Sequence, residues 1–224
     1  MFPINKNDYM QIPSLKDIVY NYISDSIQNG TLKAYDKINE TDIVNTLNIS
    51  RTPIREALIQ LAAEGLLESR PRRGFVVKPL TIREAKDIYA IIGRLDAFAI
   101  ELALPKLTDS DITLMSNLIN KMYNSIKLRD FKAYYQQQLD FHNVYILKSD
   151  NSELIETLSR LRRRFVRQSY DSTDLEELSK ALNNSNDEHS LIIKLIKQKD
   201  LIALKKLLIE EHWSLNYASN DTVY

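Results

Sequence analysis

Three histidines are the residues best suited to chemistry in this chain: His142, His189 and His212, with no others present. Each falls on an apolar stripe at helical spacing. His142 lies with Tyr134, Gln138 and Tyr145, His189 with Ile192, Ile193 and Ile196, and His212 with Leu204, Leu208 and Leu215. Residues three, four and seven apart share one side of a helix, so each imidazole is predicted to face a core. A lone histidine on such a face is ordinarily a hydrogen-bonded core residue. Three from separate helices can instead converge, and three imidazoles hold Zn²⁺, Ni²⁺ or a similar divalent ion. Spacing alone leaves both readings open.

A second set of residues points to DNA. Arg51 and Arg55 are four apart, on the opposite face from Ile54, Leu58 and Leu61. They open a predicted helix, where a recognition helix offers side chains to base edges in the major groove. An arginine fork pairs with both guanine acceptors, for roughly 1–3 kcal/mol of discrimination. Thr52 can reach a phosphate or a thymine methyl, and the helix N-terminus favours phosphate. Further on, Arg70, Arg72 and Arg73 surround Pro71 and Gly74 in a basic turn. Arg51, Arg55, Arg70, Arg72, Arg73 and Lys78 stand against Glu56, Glu64 and Glu68. That local excess of positive charge is the footprint of a nucleic-acid site.

The rest of the composition narrows the field. The chain has 224 residues, with Lys+Arg and Asp+Glu both 30, so a uniformly basic coat is excluded while a basic face is not. There is no cysteine, which removes disulfides, thiol nucleophiles and Cys-ligated zinc. The four glycines, Gly30, Gly65, Gly74 and Gly93, have no dinucleotide-fingerprint or phosphate-loop spacing. The longest apolar run, Ile88–Ile92, is far too short to span a membrane, and the start MFPINKNDYM lacks the pattern of a secretory signal. A cytoplasmic location is expected.

These residues need elements to position them. Residues 1–13 read as a loose arm. Apolar spacing predicts a helix from Leu15 that stops at Asn29-Gly30. A second fits Thr41–Leu47, capped by Asn39 or Thr41. Ser50 is a predicted N-cap for a third, with Pro53 in its first turn and Gly65 at its end. Leu66–Ser69 and Phe75–Val77 read as strands around the basic turn. Three helices and a hairpin make a winged helix-turn-helix over residues 1–79. Residues 80–224 read as an all-α bundle with helices near 81–104, 108–128, 130–148, 151–170, 174–198 and 200–217. Thr81, Thr108, Asp130, Asn151 and Asp200 are the predicted starts, and Asn183–Asn186 a weak point. The fold class is mainly α.

Ser50-Arg51-Thr52-Pro53-Ile54-Arg55-Glu56-Ala57-Leu58, then Leu61, Glu64-Gly65-Leu66-Leu67 and Arg73-Gly74-Phe75-Val76-Val77, closely resemble the GntR family of bacterial transcription regulators. Ile27–Leu32 and Lys37–Glu40 extend the likeness over roughly residues 15–78. At Ala34-Tyr35-Asp36 the chain departs from the family's usual Pro-Gly. The resemblance implies that Arg51, Thr52 and Arg55 contact DNA, with Ser50 beside them, and that Arg72, Arg73 and Gly74 form a wing tip entering the minor groove. The second half resembles the all-helical FCD ligand-binding domain of the FadR subfamily, through Arg94, Phe141-His142, Glu188-His189 and His212. In metal-binding members an Asp four residues before the first histidine joins the three histidines. Here Gln138 stands there, a neutral residue whose carbonyl can approach a metal, while Asp140 lies on another face.

The resemblance further implies a small carboxylate effector that completes the metal shell, and a homodimer formed through the helical half. Effector binding would change the spacing of the two DNA-reading heads and release a repressor from its operator. Arg94 shares a stripe with Ile91 and Phe98. It is predicted to be half-buried, and so to need an anion: the effector, or a structural partner such as Asp96 or Glu101. The run Arg162-Arg163-Arg164 reads mostly as a solvated face. A homodimer on a palindromic operator also follows from reach, because one recognition helix reads few base pairs. Two other readings remain: a metal-dependent hydrolase built on the histidines, and a winged helix that contacts protein.

Overall fold

The computed structural model describes residues 13–28, 30–165 and 175–218. The predicted arm over residues 1–12, the stop at Asn29 and the helix extension over 166–170 lie outside these. The chain divides into two compact units, Met1–Pro79 and Leu80–Tyr224.

In the first unit, α1 (Leu15–Gln28) packs on α3 (Arg51–Ala63), with α2 (Glu40–Leu47) across it. Their shared core holds Val19, Ile23, Ile27, Ile54, Leu58 and Leu61, each fully shielded from solvent. Asn39, not Thr41, caps α2, its side chain accepting from the Thr41 N–H at 3.0 Å. Ser50 holds the N-cap place of α3 in extended conformation, yet its side chain makes no capping hydrogen bond. The hairpin pairs β1 (Leu67–Arg70) with β2 (Gly74–Val77) antiparallel, Leu67 opposite Val77 and Arg70 opposite Gly74.

The stretch before α2 adds a third, short strand-like segment to this hairpin. The Tyr35 and Ile38 N–H groups donate to the Val77 and Phe75 carbonyls, and the Val77 N–H donates to Asp36. Sequence reading missed it because Tyr35–Ile38 is too short to show a period. A turn precedes it: the Asp36 N–H returns to the Lys33 carbonyl, and Tyr35 has φ 71°. A left-handed third position is glycine's place in a type II turn, which is where the family carries Pro-Gly. The turn is therefore kept without its usual residues.

The second unit is helical throughout its described residues. It comprises α4 (Ile82–Ala103), a 3₁₀ turn (Leu104–Lys106), α5 (Asp109–Lys127), α6 (Phe131–Lys148), α7 (Ser152–Arg163), α8 (Leu175–Gln198) and α9 (Leu201–Lys206). Each of the five predicted starts caps its helix: Thr81, Thr108, Asp130, Asn151 and Asp200 all accept from a backbone N–H in the first turn. Three helix ends are turned by left-handed residues that are not glycine, Arg129, Asp150 and Lys199, each followed at once by the next cap. The expected weak point at Asn183–Asn186 is absent. α8 runs through it, and Asn186 is fully buried.

The last helix departs most from expectation. After α9 the chain winds into a π-helical turn, Leu207–His212, closed by the Trp213 N–H donating to the Leu208 carbonyl at 3.1 Å. A π turn inserts a residue into the helical count and re-aims the side chains after it. Gly93 on α4 makes room for it. A Cβ built there would lie 3.0 Å from the Trp213 Cβ and 3.5 Å from the Ile209 Cα.

Candidate functional site

The three histidines come from α6, α8 and the π turn, and all are buried. His142 Nε2 lies 3.3 Å from His189 Nε2 and 3.1 Å from His212 Nε2. The second nitrogen of each ring faces a fixed partner. His142 Nδ1 is 2.6 Å from the Tyr145 hydroxyl and 3.1 Å from Asp96 Oδ2. His189 Nδ1 is 3.4 Å from Asn186 Oδ1, and His212 Nδ1 is 2.9 Å from Glu188 Oε2.

These partners assign the protons. The Tyr145 hydroxyl donates to Asp96 Oδ2 at 2.8 Å, so its oxygen accepts from His142 Nδ1–H. The Asn186 amide nitrogen donates to the Ile119 carbonyl at 3.2 Å, which turns Oδ1 toward His189 as an acceptor. Glu188 also accepts from the Tyr217 hydroxyl at 3.3 Å. With all three protons on Nδ1, three Nε2 lone pairs point at one place. Unprotonated nitrogens this close repel unless a cation lies between them. Nitrogens bound at 2.0–2.1 Å around a tetrahedral zinc would sit about 3.3 Å apart, the spacing seen here. Acceptors behind metal-bound imidazoles are the usual arrangement that orients such ligands. The donor set fits a divalent ion.

Burial favours the neutral form of two of the rings, His142 and His189, the form a metal needs. Burial drives His142 down to about 4, although Asp96 pulls the other way. Burial, then the neighbouring His212 and His142, take His189 well below the usual histidine range. Burial alone would raise the Asp96 carboxyl. His142, Arg162 and the Trp213 indole N–H outweigh burial and hold it well below the usual carboxylate range. Asp96 gathers four donors: His142, Tyr145, Trp213 Nε1 at 2.8 Å and Arg162 at 3.3 Å.

Two expectations about arginines need correction. Arg94 is exposed rather than half-buried, and donates to the Ala90 carbonyl of its own helix at 2.8 Å. Its stripe, Ile91 and Phe98 included, is the outer face of α4, because the inner face is occupied by Ile92, Asp96 and Ile100. The buried arginine is Arg162, taken from sequence as part of a solvated run. It continues the stripe Leu154 and Leu158, and its guanidinium lies 5.8 Å from the centre of the Trp213 ring. Gln138 is half-buried one turn before His142, and Asp140 is exposed and accepts from Gln136. Asp96, Arg162, Asn186, Glu188, Trp213 and Tyr217 were missed as supports. Asp96 and Arg162 could have been found as lone charges in apolar stripes at i, i+4 spacing.

In the first unit, Ser50, Arg51, Thr52 and Arg55 are all exposed at the start of α3. Arg55 Nε donates to Glu40 Oε2 on α2 at 2.9 Å, which holds its fork at the surface. Arg72, Arg73 and Gly74 are exposed at the hairpin tip, while Arg70 is tied to Glu68. The Arg73 N–H returns to the Arg70 carbonyl, with Pro71 second and Arg72 at φ 63°. Of the turns with a left-handed third residue, type II alone also accepts proline at the second. Gly74 follows at φ 78° with open space around it, so its conformation, not crowding, calls for glycine.

Comparison with known proteins covers both units. Residues 15–77 match the family "Bacterial regulatory proteins, gntR family", and residues 87–213 match the FCD domain. The gluconate operon transcriptional repressor of Bacillus licheniformis is 30% identical over 189 residues, covering 83% of this chain and 75% of the relative. The uncharacterised regulator YdhC of Bacillus subtilis is 28% identical over 197 residues, 84% and 83% of the two chains. Among solved structures, Escherichia coli McbR/YncC superposes with TM-score 0.79 at 24% identity, over 92% of this chain and 97% of that one. The likeness is to regulators throughout, so the hydrolase and protein-contact readings fall away. No helix among the described residues is long and apolar enough to cross a membrane. With its basic winged helix and histidine-centred bundle, the chain belongs to the GntR family and is a DNA-binding transcriptional regulator carrying an FCD domain, not an enzyme.

Proposed function

We propose that this protein is a cytoplasmic repressor of the FadR subfamily whose grip on its operator is released by a small carboxylate metabolite bound at a histidine-held divalent metal, Zn²⁺ or Ni²⁺. The observation that carries the sensing half is the convergence of three buried Nε2 lone pairs, each ring backed by an acceptor on Nδ1. His142, His189 and His212 hold the ion. Asp96, Asn186 and Glu188 orient them. When bound, the ion supplies positive charge and open coordination positions to a carboxylate oxygen. Repression is supported by relatives named as gluconate operon repressors.

On the DNA side, residues 1–79 read the operator and residues 80–224 sense and dimerise. Ser50, Arg51, Thr52 and Arg55 serve the major groove, and Arg72, Arg73 and Gly74 the minor groove. Two copies read a palindrome. The outer face of α4, where Ile91 and Phe98 are 48% and 42% exposed, supports a second copy packing there. The metabolite can act only by favouring one of two arrangements of the paired heads.

Operator binding by fluorescence anisotropy tests the reading. Arg55→Ala is expected to flatten the preference for operator over scrambled DNA, at about 1–3 kcal/mol per lost base contact. Arg73→Ala is expected to weaken binding to all sequences alike and lower the salt slope by about 1. Metal-loaded protein is expected to leave the operator as the carboxylate is added. Tighter binding with carboxylate would overturn repression by release, and unchanged binding in both variants would overturn the DNA contacts.

A further inference from the structure

Arg51 and Arg55 at the start of α3, and Arg72 and Arg73 at the hairpin tip, are all exposed, but they are not held alike. Arg55 Nε donates to Glu40 Oε2 at 2.9 Å. Among the described residues, the side chains of Arg51, Arg72 and Arg73 make no hydrogen bond or ion pair. The difference matches two kinds of DNA contact. A phosphate contact tolerates a mobile cation, whereas a base contact needs the guanidinium in one plane. The bond to Glu40 uses Nε alone, so both Nη nitrogens stay open, as the fork that pairs with guanine O6 and N7. Glu40 also opens α2, where a negative charge suits a helix start. That explains an acid at residue 40 but not its bond to an arginine of the next helix. An exposed ion pair adds little to stability, and a carboxylate beside a DNA-reading arginine repels every duplex.

We infer that Glu40 is a positioning residue for base recognition, holding Arg55 aimed at its base and off the phosphates. The inference rests on the reading of Arg55 as a base contact. The tether acts in two ways. Ordering the arginine before DNA arrives lowers the freedom lost on binding the right site. On a wrong site, Arg55 reaches a phosphate only by giving up Glu40, so the mismatched complex is penalised.

Selection from a random-sequence duplex pool by the full-length protein supplies the preferred DNA. The same selection with Arg55→Ala, Glu40→Ala and the double variant locates the base pairs that each change relaxes. Glu40→Ala is expected to relax the same base pair as Arg55→Ala. In fluorescence anisotropy it is expected to lower the ratio of preferred to scrambled affinity by about tenfold, the worth of one base contact. It is also expected to bind scrambled DNA more tightly, with a salt slope steeper by about 1, as Arg55 takes a phosphate. The extra slope is expected to vanish in the double variant. Full preference in Glu40→Ala at the base pair that Arg55→Ala relaxes overturns the inference and leaves Arg55 as a base contact. Equal tightening on preferred and scrambled DNA, with or without Arg55, reduces Glu40 to a repelling charge and also overturns it. An Arg55→Ala protein that selects the same sequence as the unaltered one overturns the reading of Arg55, and this inference with it. If Glu40→Ala loses its helical circular dichroism, Glu40→Gln, which keeps the side chain's length without its charge, is judged by the same outcomes.

Discussion

Asp96 is the residue on which the histidine centre turns. One fully buried carboxylate accepts from His142, a tyrosine, the single tryptophan and a buried arginine. Removing its charge leaves Arg162 buried and unpaired, a loss of about 3–5 kcal/mol, and loosens the orientation of His142. Asp96→Asn is expected to lower urea stability by about that much and metal affinity by about 10–100-fold. The double variant Asp96→Asn/Arg162→Met, with no stranded cation, is expected to recover much of the stability but not the metal affinity. Equal stability loss in single and double variants would contradict the pairing. The histidines were legible in the sequence because each broke an apolar stripe. Asp96 and Arg162 break stripes in the same way, but a charge on one helix does not announce its partner on another. Arg94 misled for the opposite reason: its stripe is apolar and faces outward.

Two elements carry conformations that their residues do not favour or do not advertise. Tyr35 occupies a left-handed place in the turn leading into α2 and is 60% exposed. A left-handed backbone costs an L-residue about 1–2 kcal/mol, and little packing offsets it here. Tyr35→Gly is expected to stabilise the protein by about 1 kcal/mol in urea unfolding, after the entropy of the unfolded glycine is counted. A destabilised variant would contradict the turn. The start of α5 offers a pH test. A hydrogen bond from Lys148, then one from Thr108, hold Asp111 down at about 2, against an ordinary 3.8. Because the folded value is the lower one, its stabilisation is complete above about pH 4 and is lost as pH falls toward 2. The stability gap between the unaltered protein and Asp111→Asn is expected to close over that window, and a gap that persists at pH 2 would contradict it. Helix starts such as Thr108 were readable because a cap is local chemistry. The π turn Leu207–His212 was not, because it depends on Gly93 of α4 admitting Trp213, a contact between residues 120 positions apart.

For the whole molecule, the split into two compact units follows the change of pattern near residue 79, from basic hairpin to successive helices. Convergence of the histidines was not legible in such a pattern, since three rings on three elements meet only after the bundle packs. The π turn then decides where His212 points. The proposed function stands or falls on a metal held at this meeting point. Elemental analysis of untagged full-length protein, purified without chelators and then incubated with Zn²⁺ or Ni²⁺ and desalted in the presence of acetate, tests it most directly. About one ion per chain is expected, lost in His189→Ala although that variant keeps its helical circular dichroism and its operator binding. No bound ion in the unaltered protein, or an ion retained in full by His189→Ala, would contradict it and return the three histidines to the core as hydrogen-bonding residues.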